Sequence, residues 1–370
     1  MADHAEAVEA LVAQVPPAPE HTNGSILEVC ALGASADASE DAWDRFVDAS
    51  PDGTVFHRIA WKLVVEEVFG HVPHYLVAHA AGVVRGVLPL FEVRGLRAGR
   101  VLLSVPHGTY GGICATDPAA ASALLEAARD LGERLRVRYV ELRQLSHPLP
   151  ALPTCQPFVT FTRAIAADPD ANFRALSAKR RNMIRKGARH GLEIRRGWEP
   201  LAEFHQTYAI NCHRLGSPPY SRRLFEAIRD RLGASAELLT VWHRAGLVAG
   251  SLSLFHGNRI MPYYTASLPA ARTLAVNDFM YWDLMRTAGL SGYRLFDFGQ
   301  SHAGSGSYAF KHYWGFAPEP IAHQYVLVRD HEPPLRDPAR RDPLVDVWKR
   351  LPLPLTKWLG PSLIRWLPLR

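Results

Sequence analysis

The sequence has little cysteine, no long apolar run and none of the short motifs that mark the common hydrolases and nucleotide enzymes. Its four cysteines, Cys30, Cys114, Cys155 and Cys212, are scattered and form no C-x-x-C pair. That spacing argues against a zinc site and a disulfide scaffold, and reads as buried, inert thiols. No stretch approaches the roughly 20 apolar residues needed to span a bilayer. Residues 1–25 are rich in Ala, Glu and Pro without a signal-peptide core, and read as a disordered tail of a cytoplasmic protein. A G-x-S-x-G elbow, a Walker loop and an H-E-x-x-H helix are all missing. His71-Val-Pro-His74 is proline-bent and lacks nearby carboxylates, so no metal is expected. A formal charge of +6 is modest for 370 residues, and the placement of the basic residues matters more than their sum.

What the chain does contain is a repeat. Tyr75 to Phe91 (YLVAHAAGVVRGVLPLF) and Leu239 to Phe255 (LTVWHRAGLVAGSLSLF) are offset by 164 residues and identical at nine of seventeen positions. Solenoid units run roughly 20 to 50 residues, so the spacing indicates a duplicated domain. In each copy, alternating apolar residues on either side of Ala-Gly predict two antiparallel strands and a tight turn. The first copy continues with an apolar run Val101–Val105, a Gly-rich loop Pro106–Gly112, a helix over 118–136 and a strand over 139–143. The second continues with a strand over 259–266, a helix over 274–290 and a strand over 295–299. Three antiparallel strands, a helix and a further strand recur in an order that resembles the GNAT acyltransferase fold. The expected class is therefore α/β with mixed sheets, built as two tandem GNAT-like domains with a cleft between them.

Length suits two cores of about 150 residues each. The expected division is a first domain over 26–167, including a proline-stiffened connector from Pro148 to Pro157, a basic interdomain helix over 168–191, and a second domain over 192–330. A Pro-rich, basic and aromatic tail over 331–370 follows.

Three groups of residues carry candidate chemistry. On a helix, Phe173, Leu176, Met183, Ile184 and Gly187 share one stripe, with Arg180 inside it and Arg181 on its edge. A guanidinium aimed at packed surface needs a carboxylate or phosphate partner, and the phosphate of a substrate or of a transfer RNA end would serve. The block Phe296 to Phe316 runs from a strand ending at Asp297 into a Gly/Ser loop with Gln300 and Ser301, where backbone amides approach a ligand closely. Lys311 follows among Phe310, Tyr313, Trp314 and Phe316, which predicts a partly desolvated amine. Finally, Tyr263, Tyr264, Asn277 and Asp278 in the second copy, and His107, Tyr110, Gly111 and Gly112 in the first, lie between strand and helix. There the strands of a GNAT-like sheet splay and ligands enter. The R/Q-x-x-G-x-G/A loop that holds the pyrophosphate of acetyl-CoA is absent at both corresponding places.

The duplicated unit, the basic R-x-x-I-R-K-G segment (Arg181, Ile184, Arg185, Lys186, Gly187) and the late F-K-x-x-W-G-F segment (Phe310, Lys311, Trp314, Gly315, Phe316) together resemble the FemAB family. Pro106 to Gly112, Ala275 to Trp282 and Phe296 to Phe316 are most similar to FemAB-like proteins associated with exosortase/PEP-CTERM and exopolysaccharide clusters. This resemblance implies transfer of an acyl or aminoacyl group to an amine. It places Lys311 beside the reacting carbonyl and Arg181 and Arg185 as phosphate contacts. The implied partners are an activated donor (aminoacyl-tRNA, an acyl carrier or acyl-CoA) and a sugar- or lipid-linked amine on a cell-envelope or exopolysaccharide precursor, with no tightly bound cofactor. Asp297 or a substrate group would take the amine proton. An acyl-CoA-dependent acetyltransferase and a non-catalytic assembly module stand as alternatives. The tail from Val347 to Arg370, where Trp348, Trp358 and Trp366 alternate with cations, predicts peripheral attachment to the inner membrane face or docking on the protein itself.

Overall fold

The computed structural model describes residues 26–95, 99–145, 148–334 and 343–366. The tail expected over residues 1–25 lies outside them, as does Arg370. The first half opens with β1 (Glu28–Ala31), α1 (Glu40–Ala49) and α2 (Ile59–Phe69). Strands β2 (Val72–Pro73), β3 (Leu76–Ala80), β4 (Val83–Leu88), β5 (Leu90–Gly95) and β6 (Gly99–Ser104) follow. A short β7 (Cys114–Ala115) leads into α3 (Pro118–Leu135), β8 (Tyr139–Gln144) and β9 (Thr154–Ala164).

Two helices, α4 (Pro169–Arg174) and α5 (Ala178–Arg189), lead to the second half. It comprises β10 (Leu192–Arg196), α6 (Leu201–Leu215), α7 (Arg222–Leu232), β11 (Ala236–His243), β12 (Gly246–His256) and β13 (Arg259–Ser267). Then come α8 (Val276–Leu290), β14 (Leu295–Asp297), α9 (Gly306–Tyr313) and β15 (Pro318–Leu327). Helices α10 (Pro343–Arg350) and α11 (Leu353–Arg365) close the described chain.

Adding 164 to the residue number carries β1 onto β10, α1 onto α6, α2 onto α7, β3 onto β11 and β9 onto β15. The duplication thus extends well beyond the seventeen matched positions. The two copies differ at one instructive point. Pro89 has no N–H to give a ladder, and there the first copy splits into β4 and β5, which join different sheets. The corresponding position in the second copy is Ser253, and β12 continues through it with a register shift against β13 between Leu252 and Ser253. Both copies therefore splay at the same place, one by a break and the other by a bulge.

The strand order of the large sheet is β10-β11-β12-β13-β14-β9-β15-β8-β6-β5-β2. The last strand of each half is exchanged: β9 pairs with β14 of the second half, β15 pairs with β8 of the first, and the two pair with each other, all antiparallel. The connector expected over Pro148–Pro157 consequently ends inside β9. Pro157 is accommodated because its backbone position falls in a ladder already interrupted by the register shift between Ile321 and His323.

The single charged helix expected over 168–191 is two helices. Ser177 begins the second, its Oγ accepting the Arg180 amide at 3.3 Å, and such a cap stops the preceding helix from running through. Between the halves, α2 packs on α7, with Arg231 paired to Glu67 at 2.9 Å. One apolar cluster runs across both halves, joining Trp43, Phe56 and Trp61 to Phe204, Phe225 and Tyr264. Cys114 and Cys212 are buried, and desolvation pushes both thiols up to about 12. No helix among the described residues is long and apolar enough to cross a membrane.

Candidate active site

Where the halves meet, a cavity of about 280 Å³ is lined from four directions. His107, Gly108 and Thr109 come from the Gly-rich loop of the first half. Tyr208 of α6 and Tyr220 of the α6–α7 connection form one wall, Tyr263 and Tyr264 of β13 another. Gly299, Gln300, Ser307 and Lys311 supply the polar end.

Lys311 is held by local geometry. Ser305 caps α9 through the Tyr308 amide at 3.1 Å, and Gly299 takes a left-handed φ of 67° that glycine tolerates without strain. The Lys311 Nζ then donates to the carbonyls of Gly299 and Gln300, both at 2.9 Å. An ammonium has three N–H donors, so among the described residues one is left for a ligand. The residue is only 6% exposed. Burial pulls its amine down to about 7, against the opposing attraction of Asp297.

Asp297 is fully buried and does not line the cavity. Its Oδ2 accepts from Arg259 at 2.6 Å, and its Oδ1 accepts from the Gly299 amide at 2.7 Å and from Thr160 at 3.2 Å. Tyr110 donates to the same Oδ1 at 3.4 Å and contacts Thr160. The expectation that Asp297 takes a proton from the amine is therefore corrected. Four donors already occupy it, and its geometry suits holding the loop that carries the two Lys311 acceptors. Tyr110 is likewise interior, and burial with the nearby Asp297 carboxylate raises its phenol well above the usual range.

His107 reaches the cavity through a backbone with φ of 64°, an uncommon conformation for a residue with Cβ. Its carbonyl accepts from the Tyr263 hydroxyl at 3.0 Å, and Thr109 donates to that hydroxyl at 3.2 Å. The ring stacks on Phe69 with centroids 3.8 Å apart, and Nδ1 lies 3.2 Å from the Tyr220 hydroxyl. Burial depresses the imidazole well below its ordinary value, with His71 adding to the effect, so it is neutral at pH 7. The Tyr264 hydroxyl is buried and has no hydrogen-bond partner among the described residues. Since buried polar groups are seldom left unpaired, a ligand is a natural partner for it.

The arginine group is placed elsewhere. Arg180 is 7% exposed and donates to Asp278 at 2.7 Å. Its partner is thus a carboxylate of the chain, not the phosphate expected for a substrate contact. Burial raises the Asp278 carboxyl, and Arg180 pulls it back. Arg181 donates to the carbonyls of Arg174, at 3.2 Å, and Leu176, capping the end of α4. Arg185 is exposed, its guanidinium 5.2 Å from the Phe173 ring centroid. Asn277 lies half-buried in the first turn of α8, and Trp314 is buried among Tyr281, Phe298 and Phe310. Ser301 pairs with β9 and meets Ser307 at 2.9 Å behind the wall. None of these lines the cavity. Of the expected site residues, the structure brings together Lys311, Gln300, His107, Tyr263 and Tyr264.

Tyr208 and Tyr220 were not anticipated. A proline-rich stretch, Gly216-Ser-Pro-Pro-Tyr220, was the available signal for the second.

A helix N-terminus is where a pyrophosphate would bind in such a unit. Both relevant termini are filled by the chain's own carboxylates. Asp117 accepts the Ala120 amide of α3 at 2.9 Å and pairs with Arg85 at 2.7 Å. Asp278, in the first turn of α8, pairs with Arg180 at 2.7 Å, while Gly187 of α5 lies against Phe279 and the Ala275 carbonyl. Among the described residues no group of three or more His, Cys, Asp or Glu is placed to hold a metal ion.

The architecture is that of GNAT-like units in tandem. Residues 177–312 match the family described as acetyltransferase (GNAT) domain. The solved structure of FemX superposes with a TM-score of 0.66 at 17% identity, covering 79% of this chain and 96% of FemX. The C-terminal domain (DUF2156) of a putative lysylphosphatidylglycerol synthetase from Agrobacterium fabrum gives 0.54 at 13% identity, covering 80% and 93%. L-PGS from Bacillus licheniformis gives 0.50 at 11%, covering 74% and 91%. No curated protein matches the chain in sequence.

Proposed function

We propose that the chain is a FemAB-type N-acyltransferase that moves an acyl or aminoacyl group from an activated donor to an amine on a sugar- or lipid-linked precursor of the cell envelope or exopolysaccharide. The observation that carries this reading is the Lys311 amine, fixed by two carbonyls with one donor left at the polar end of the cavity. In the reaction the amine nitrogen attacks the donor carbonyl and a C–N bond forms. The carbonyl oxygen becomes an oxyanion beside Lys311, and the C–O or C–S bond breaks as the amine proton passes to the leaving oxygen or sulfur. A fixed donor aimed at developing charge is worth more than one that must reorganise.

The tyrosine-lined walls suit the apolar faces of a sugar ring or a side chain, and the Tyr264 hydroxyl offers one unclaimed polar contact. Helix termini closed by Asp117 and Asp278 favour a donor other than acyl-CoA. The test is incubation with an amino-sugar acceptor and, in turn, charged tRNA, an acyl-carrier thioester and acetyl-CoA, with products read by mass spectrometry. Amide formation from charged tRNA or acyl carrier is expected. Micromolar binding of acetyl-CoA with turnover would replace this reading by the acyl-CoA-dependent acetyltransferase, which the matched GNAT family favours.

A further inference from the structure

Helix α11 is amphipathic in the reverse sense for a helix docked on a soluble protein. Its inward stripe is Thr356, Gly360 and Ile364, all buried. A Cβ on Gly360 would lie 2.5 Å from Pro219 Cδ, so that small residue is what lets the helix seat against the segment carrying Tyr220. The outward stripe is Leu355, Trp358, Ser362 and Trp366, at the i, i+3, i+7 and i+11 spacing of one face. Trp358 is 75% exposed and Trp366 40%. Leu344 and Val347 of α10 are exposed as well. Within residues 343–366 a single carboxylate, Asp346, stands against Lys349, Arg350, Lys357 and Arg365.

Exposed tryptophans with the exposed cations Lys349 and Arg350 of α10 beside them are matched by the headgroup boundary of an anionic bilayer, where the indoles sit among the acyl-chain ends and the cations among the phosphates, whereas Lys357 is held by Gln206 of α6 and Arg365 turns toward Gly70. We infer that the outward face of α11, extended by α10, docks on an anionic phospholipid surface. The inward side of the same helix fixes the orientation. Its Arg365 guanidinium lies beside Gly70, and repulsion from Arg365 contributes to lowering the neighbouring His71, which meets His107 at 3.4 Å on the cavity wall. A membrane under α11 would therefore lie close to the His107 and Tyr220 end of the cavity. This deepens the proposed function by making the acceptor lipid-linked, and it rests on that reading for this step alone.

Flotation of the full chain with vesicles of phosphatidylcholine containing about a quarter phosphatidylglycerol is the test. The wild type is expected to float with these vesicles, and the Trp358→Ser/Trp366→Ser double variant to show a partition coefficient at least about tenfold lower. Added salt should weaken wild-type binding, as it screens exposed charge. Both tryptophans are exposed, so the variant is expected to keep the wild-type melting temperature, and Arg350→Glu on the exposed end of α10 supplies an independent loss through charge. A wild type that stays at the bottom of the gradient overturns the inference. So does a dimer, seen by sedimentation velocity and abolished by the tryptophan changes, without vesicle binding, because a second copy would then be the occupant. Flotation needs no turnover, so a failed transferase assay and a failed flotation remain separate results.

Discussion

Replacing Lys311 by Met tests the site most directly, because length and apolar stem are kept while the charge is removed. Its amine drops from 10.5 to about 7 on folding. Between those values the unfolded chain holds a proton that the folded chain has released, so native stability rises with pH across that window. The slope is up to about 1.4 kcal/mol per pH unit. Below about pH 7 both states are protonated and the folded state bears the full cost of the buried cation. Lys311→Met removes that cost but leaves the Gly299 and Gln300 carbonyls without their donor, at about 1–3 kcal/mol each. The two effects oppose each other near neutral pH, so the melting temperature should change little there. The wild-type advantage should then grow as pH is raised toward 10.

Turnover behaves differently. A cation positioned for the oxyanion contributes on the order of 100- to 1000-fold in rate, and the variant should lose that factor per folded molecule. Because the protonated amine is the active form, kcat/KM of the wild type should fall as pH rises through about 7, a limb absent in Lys311→Met. Rate and thermal denaturation measured on one preparation from pH 6 to about 10 decide the matter. An unchanged rate with a lowered melting temperature would make Lys311 a structural cap. A limb that rises through about 7 and disappears in the variant would make it a neutral base, and the electrostatic role would be wrong.

Other outcomes follow from contacts behind and around the cavity. Arg180→Met should cost about 3–5 kcal/mol, because it strands the buried Asp278 carboxylate, whereas the rate per folded molecule should hold; urea titration beside a single-turnover assay checks both. Tyr264→Phe removes a hydroxyl with no partner among the described residues, so stability should hold or rise while acceptor affinity falls by about 1 kcal/mol, read by calorimetry. Gly112→Ala would put a Cβ 1.7 Å from Gln144 Oε1 and 3.2 Å from its Cα, displacing the loop that carries His107 and Thr109. KM should rise more than kcat falls, and a melting temperature lowered with KM unchanged would refute the link between that loop and the wall. Gly360→Ala should lift α11 from Pro219, seen as faster proteolysis after residue 343 and a raised KM through Tyr220.

Much of the architecture could be read from one chain because local chemistry repeats. Ala-Gly turns, the alternating apolar residues on either side of them and two helices of similar place expose the duplication without reference to any tertiary contact. Lys311 was legible for a related reason: its aromatic neighbours are close in sequence, so desolvation follows from a short window. Arg180 shows the limit. Its place on the packed stripe was visible, but its partner Asp278 is 98 residues away, and nothing local distinguishes a carboxylate partner from a phosphate. Tyr208 failed for the opposite reason, since Phe204, Tyr208 and Cys212 at successive i+4 positions describe an ordinary buried face. Only the meeting of the two halves turns that face into a cavity wall.

The strand exchange was illegible on the same grounds, and it bears on how the site can work. The alternation in β9 and β15 specifies a strand with a buried face but not the sheet that receives it. Once β9 completes the second half and β15 the first, a hinge that parted the halves so completed would have to break the β9–β15 ladder that joins them into one sheet. Backbone ladders of this kind open only with much of the fold, whereas segments with few backbone pairings open at low cost. Substrate must therefore enter by displacement of loops at the cavity rim. The connection from Gly216 to Ser221 is one such segment. It carries Tyr220 and is held from outside by Val345 and Lys349 of α10 at Gly216 and by Gly360 of α11 at Pro219. In a molecule whose halves are interleaved, the two C-terminal helices are then the element best placed to set how readily the cavity opens.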